Sequence, residues 1–127
     1  MQWNQYGEGK ELNVMSNKVS VLGTDYIILQ DCNTTENLNN KGLDGETNVY
    51  SKIISIRNMS NMLDADNPNY EKEARYKETM RHEIIHAFFH ESGLEDYCND
   101  EVLVDWLAKQ WNKMSIAFQE ALEDCNE

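Results

Sequence analysis

Proline is nearly missing from this chain, occurring once, at Pro68, in 127 residues. There is no proline-rich or other linker-like stretch and no internal repeat. The length suits one domain and is short for two separate cores. With 40% hydrophobic residues, a disordered tail is excluded. Cysteine is also scarce. Cys32, Cys98 and Cys125 are odd in number and widely spaced, which argues against a disulfide framework. Basic residues are few, 11 Lys and Arg against 23 Asp and Glu, for a formal net charge of −12. That balance disfavours nucleic acid and anionic membranes as partners. It suits a divalent cation or a basic peptide, although an acidic surface also serves solubility alone. No apolar run approaches bilayer length, and residues 1–10 lack the basic-then-apolar pattern of a signal peptide. The expected location is the cytoplasm, where the sequons at Asn33 and Asn58 have no glycan to carry.

What is present divides into two halves. Residues 18–22 and 26–30 are rich in β-branched and aromatic side chains with Gly23 between them. They fit either a tight hairpin or one strand bent at the glycine. Residues 31–48 are polar with two glycines and read as a loop with room for a short strand; residues 52–57 form the next strand. The second half is helical. Asn67-Pro68 marks a helix start, with an Asn cap and Pro at the first position, and Gly93 suits a left-handed C-cap. A second helix begins after Asn99-Asp100. Its Leu103, Trp106, Leu107, Trp111, Met114 and Phe118 recur at helical steps and predict a stripe packed on the core.

The chemistry concentrates in Arg81-His82-Glu83-Ile84-Ile85-His86, an H-E-x-x-H pattern. Helix residues four apart lie one above the other, so His82 and His86 can grip one ion from a single face. Neutral imidazole suits Zn²⁺, and Glu83 can act as general base toward water activated by the ion. The plain alternative is a pair of solvated or core histidines with no ion. Ile84, Ile85 and Phe88 on the remaining faces suit a buried active-site helix.

A zinc site of this kind has three protein ligands. His90 lies two turns beyond His82, about 12 Å along the axis, too far for a straight helix to aim all three imidazoles at one ion. Glu101 is the better candidate, since Glu101 and Asp105 share one face of the second helix. In that arrangement the glutamate binds and the aspartate orients an imidazole. Ordinary acid at a helix N-terminus is the plain alternative, and Asp100 competes for the ligand role. Tyr97, between the helices, is the candidate donor to a developing oxyanion, with Tyr76 and Tyr70 behind it. Cys98 is a further conceivable ligand, though a lone cysteine is more often buried and inert.

These residues resemble the zincin-like metallopeptidases, in particular the small ones encoded by phages and other mobile elements. The resemblance runs from Lys18 onward. It rests on the strands at 19–26 and 52–57, then on residues 79–94 and 99–108, of which the helix pair is specific and the strands alone are weak. It implies a minimal α+β zincin fold over one domain, residues 1–127: a short sheet on the active-site helix, followed by a C-terminal helix. It also implies a gluzincin-like ligand set of His82, His86 and Glu101, with Glu83 as base, Zn²⁺ as cofactor and a protein or peptide as substrate. Two departures stand out: the His86–Glu101 span is short, and the histidine that assists the transition state in larger members has no counterpart. A rival reading is a non-catalytic phage-type interaction module on the same scaffold with a retained metal. Glu83 favours the enzyme, because a structural metal site needs ligands but no base. A third, an all-helical adaptor without metal, has least support.

Overall fold

The computed structural model describes residues 17–59 and 69–125. The elements are β1 (Lys18–Val21), β2 (Thr24–Leu29), α1 (Cys32–Lys41), β3 (Gly45–Asn48), β4 (Ile53–Ile56), α2 (Asn69–Glu91), α3 (Glu95–Cys98) and α4 (Glu101–Cys125). The class is α+β, with a four-stranded mixed sheet in the order β1-β2-β4-β3, which excludes the all-helical adaptor. The helix start at Asn67-Pro68 lies outside the described residues.

The choice at Gly23 goes to the hairpin. Leu22 and Gly23 both take positive φ, 51° and 88°, as a two-residue type I′ turn requires. β1 and β2 pair antiparallel around it. β2 pairs with β4 in parallel, and a parallel pair needs a crossover. Residues 31–48 supply it, and here the loop expectation is corrected. Residues 32–41 form α1 instead, while β3, which pairs antiparallel with β4, is the short strand for which that stretch has room. The polarity of α1 reflects exposure rather than irregular backbone, since only Thr34 and Leu38 are buried. The Asp31 carboxylate accepts from the Thr34 N–H at 2.8 Å, and Gly42, at φ 71°, caps the other end.

Strand alternation turns Tyr26, Ile28, Ile54 and Ile56 to one sheet face, where α2 meets them with Tyr76, Met80, Ile84 and Ala87. Burying an Ile54-sized side chain stabilises by roughly 1.5–3 kcal/mol. An exposed pair such as Lys41–Glu46, 3.0 Å apart, adds about 0–1 kcal/mol. Packing of α2 on the sheet therefore dominates. Polar ties fix its C-terminal end: Glu91 accepts from Thr24 Oγ1 at 3.1 Å, the Tyr26 hydroxyl at 2.6 Å and Lys52 Nζ at 2.7 Å. Gly93, at φ 77°, ends α2 as expected.

In α4 the packed face differs from the expected stripe. Val104 and Ala108 are buried, whereas Trp106, Trp111 and Phe118 are about half exposed, at 52%, 47% and 54%. Arg81 Nε donates to the Ala108 carbonyl at 2.8 Å, so α2 and α4 approach closely and small residues occupy the contact. The face turned to α2 is thus Glu101, Val104, Asp105 and Ala108, and Glu101 and Asp105 belong to it.

Candidate metal centre

Glu101 opens α4 because Asp100 caps it, the Asp100 carboxylate accepting from the Leu103 N–H at 3.1 Å. Asp100 is thereby committed to the helix end and is not in the ligand group. Glu101 projects toward the His82–His86 face of α2. Its two oxygens lie 3.0 Å from His82 Nε2 and 3.1 Å from His86 Nε2, and the two Nε2 atoms are 3.2 Å apart. His82, His86 and Glu101 therefore form a group that could hold a metal ion. Two ligands about 2.0–2.2 Å from a tetrahedral ion stand roughly 3.3–3.6 Å apart. The observed triangle needs only a few tenths of an ångström of spreading to fit.

The donor chemistry fits as well. His86 Nδ1 is 2.6 Å from the Cys98 carbonyl oxygen, which can only accept, so Nδ1 carries a hydrogen. In neutral His86 the lone pair then sits on Nε2, facing the group. His82 is held less firmly. Its Nδ1 lies 3.6 Å from Asp105 Oδ1, beyond hydrogen-bond length, and Asp105 Oδ2 is engaged by Lys109 Nζ at 2.9 Å.

Glu83, one step round α2, is 6% exposed. Thr47 Oγ1 lies 2.8 Å from its Oε1 and 2.9 Å from its main-chain oxygen. The single hydroxyl hydrogen serves the carboxylate when Glu83 is ionised. When Glu83 carries a proton, the hydroxyl can accept it and turn its own hydrogen to the main chain. Burial pushes the Glu83 carboxyl above its ordinary range, against the Thr47 hydrogen bond and the His86 ring, which pull it down. The group opens onto a cleft of about 690 Å³ between β3 and the helices, within the size range of binding pockets. Asp44 braces one end, accepting from Arg57 Nη1 at 3.1 Å and from both Arg75 Nε and Nη2 at 2.6 and 2.9 Å.

The other candidates lie elsewhere. Tyr97 sits in the one-turn helix α3 rather than in a loop. Its ring packs against Phe89 at 5.9 Å and is not in the cleft lining, whereas the exposed Tyr50 is. Tyr76 packs on the core, and the Tyr70 side chain lies outside the described residues. His90 pairs with Glu95 at 2.8 Å and meets the Tyr50 ring edge-on; it is not in the ligand group. Cys98 is buried, its thiol pushed up by desolvation and then by Glu95 and Glu101; it contributes its carbonyl instead. Thr47 and the Cys98 carbonyl were the contributors invisible in the sequence. Thr47 lay in a polar run, and a carbonyl leaves no mark on residue type. The chain matches no protein-family model, and no curated protein or solved structure is significantly similar to it.

Proposed function

We propose that this chain is a zinc-dependent metallopeptidase that hydrolyses peptide bonds. The observation that carries the reading is the convergence of His82, His86 and Glu101 beside a buried carboxylate, Glu83, at the floor of an open cleft. Two imidazoles and one carboxylate suit zinc better than calcium or magnesium, which favour oxygen ligands throughout. Zinc held there supplies Lewis acidity, polarising a carbonyl and making water acidic enough to lose its proton near neutral pH. Glu83 accepts that proton and returns it to the leaving amine, a role suited to a carboxyl whose affinity for protons is raised by burial. β3 walls the cleft, and among the described residues no strand pairs with its outer edge. Its main-chain groups can therefore receive an extended peptide.

The test begins with metal. Protein purified without added metal should carry about one zinc per chain, lost in His82→Ala and His86→Ala. Competition with a chromophoric chelator should find the affinity loss largest for Glu101→Ala, with Asp105→Ala, whose carboxylate stands 3.6 Å from His82 Nδ1 and pairs with Lys109, and His90→Ala both well below it. Protein that refuses added zinc, or a His90→Ala loss exceeding that of Glu101→Ala, would sink the ligand assignment.

A further inference from the structure

We propose that Thr47 on β3 is a positioning residue for the Glu83 carboxylate, holding Oε1 so that Oε2 is left to take the proton. Thr47 and Gly45 are two apart on the strand and share one face, the face turned toward α2. Thr47 Oγ1 is 2.8 Å from Glu83 Oε1. A Cβ added at Gly45 would stand 2.9 Å from Glu83 Cγ, 3.1 Å from Oε2 and 2.8 Å from Thr79 Cγ2. The bare glycine thus lets the strand close on the helix until the threonine hydroxyl reaches the carboxylate, and it keeps the strand from crowding Oε2. Both residues line the same cleft as His82 and His86.

A glutamate side chain has three rotatable bonds, and a buried one with a single hydroxyl partner loses its main restraint when that partner goes. The Thr47 hydroxyl hydrogen-bonds to Glu83 and to none of His82, His86 and Glu101, so its removal should separate chemistry from metal binding. The consequence for rate rests on the peptidase reading; the consequence for carboxylate position does not.

The near-isosteric Thr47→Val and the hydroxyl-keeping Thr47→Ser test both. On the peptide best cleaved from a fluorogenic library with added zinc, Thr47→Val should lower kcat by about ten- to a hundredfold with KM nearly unchanged. Zinc affinity by chelator competition should match wild type in both variants, and Thr47→Ser should recover most of kcat. Crystals of Thr47→Val should show the Glu83 carboxylate turned from its position beside residue 47. A Glu83 that keeps its place in those crystals would overturn the proposal, as would a serine variant as slow as valine. If wild type and Glu83→Gln are equally inert on the library while the crystals show Glu83 displaced, the positioning role stands and the peptidase reading falls.

Discussion

Two carboxylates on α2, Glu83 and Glu91, stand eight residues apart and meet opposite surroundings. Glu91 ends the helix among three donors, Thr24, Tyr26 and Lys52. The Lys52 ammonium first, then the Tyr26 hydroxyl, hold it down at about 2 from an ordinary 4.5. Glu83 is buried with one hydroxyl and is pushed up by desolvation. The first carboxylate fastens helix to sheet. The second costs stability when ionised, because burial leaves its charge with a single donor. The difference comes from donors, since both residues are glutamates on one helix.

The sharpest way to break this comparison is to exchange each acid for its amide. Glu83→Gln should keep the metal and lower hydrolysis by roughly a hundred- to ten-thousandfold, while Glu91→Gln should leave the rate of the folded protein near wild type. Equal rates for wild type and Glu83→Gln on any cleaved peptide would remove the catalytic role of Glu83.

Next in size is the fastening at Glu91. Tyr26→Phe removes one donor to a charged acceptor beneath a fully buried ring, a loss of about 1.5–3 kcal/mol. Thermal unfolding should show Tm lower by several degrees, and an unchanged Tm would mean that the Thr24 and Lys52 contacts suffice.

The smallest effect, and the most discriminating, is in pH. The Glu91 carboxyl is depressed in the fold, so its stabilisation is present above the ordinary 4.5 and is lost as pH falls from there toward about 2. The Glu83 carboxyl is raised, so its cost appears above 4.5 and vanishes below it, where both folded and unfolded chains carry the proton. In chelator-treated protein at pH 7, urea unfolding should find Glu91→Gln less stable than wild type and Glu83→Gln more stable. Both differences should shrink as pH falls toward 3. Differences of the same sign at pH 7 would show that the two surroundings are not opposed.

Much of this could be read from residue order. The H-E-x-x-H step of four, the Glu101–Asp105 pair and the alternation in β2 and β4 are periodicities that survive folding unchanged. Three features could not. α1 was hidden because a helix with only Thr34 and Leu38 buried leaves almost no apolar period. The buried face of α4 departs from the apolar stripe because the close approach to α2 selects Val104 and Ala108 over the bulkier Trp106 and Trp111. Thr47 is silent in the sequence because its partner lies 36 residues away, and a lone threonine in Gly45-Glu46-Thr47-Asn48 carries no sign of it.

The His86 ring is oriented by a main-chain carbonyl, that of Cys98, and this makes the metal group tolerant of mutation in an uneven way. No side-chain replacement at 98 can delete that acceptor, because every amino acid brings the same oxygen. Length is the vulnerable quantity instead. Gly93 turns the chain and Asp100 caps α4, leaving six residues between them to bring one oxygen to one ring. Substitutions at the exposed positions 94–97 and 99 should be tolerated so long as α3 keeps its turn, whereas a single inserted or deleted residue would swing the carbonyl away. The site therefore depends on a count of residues more than on their identities.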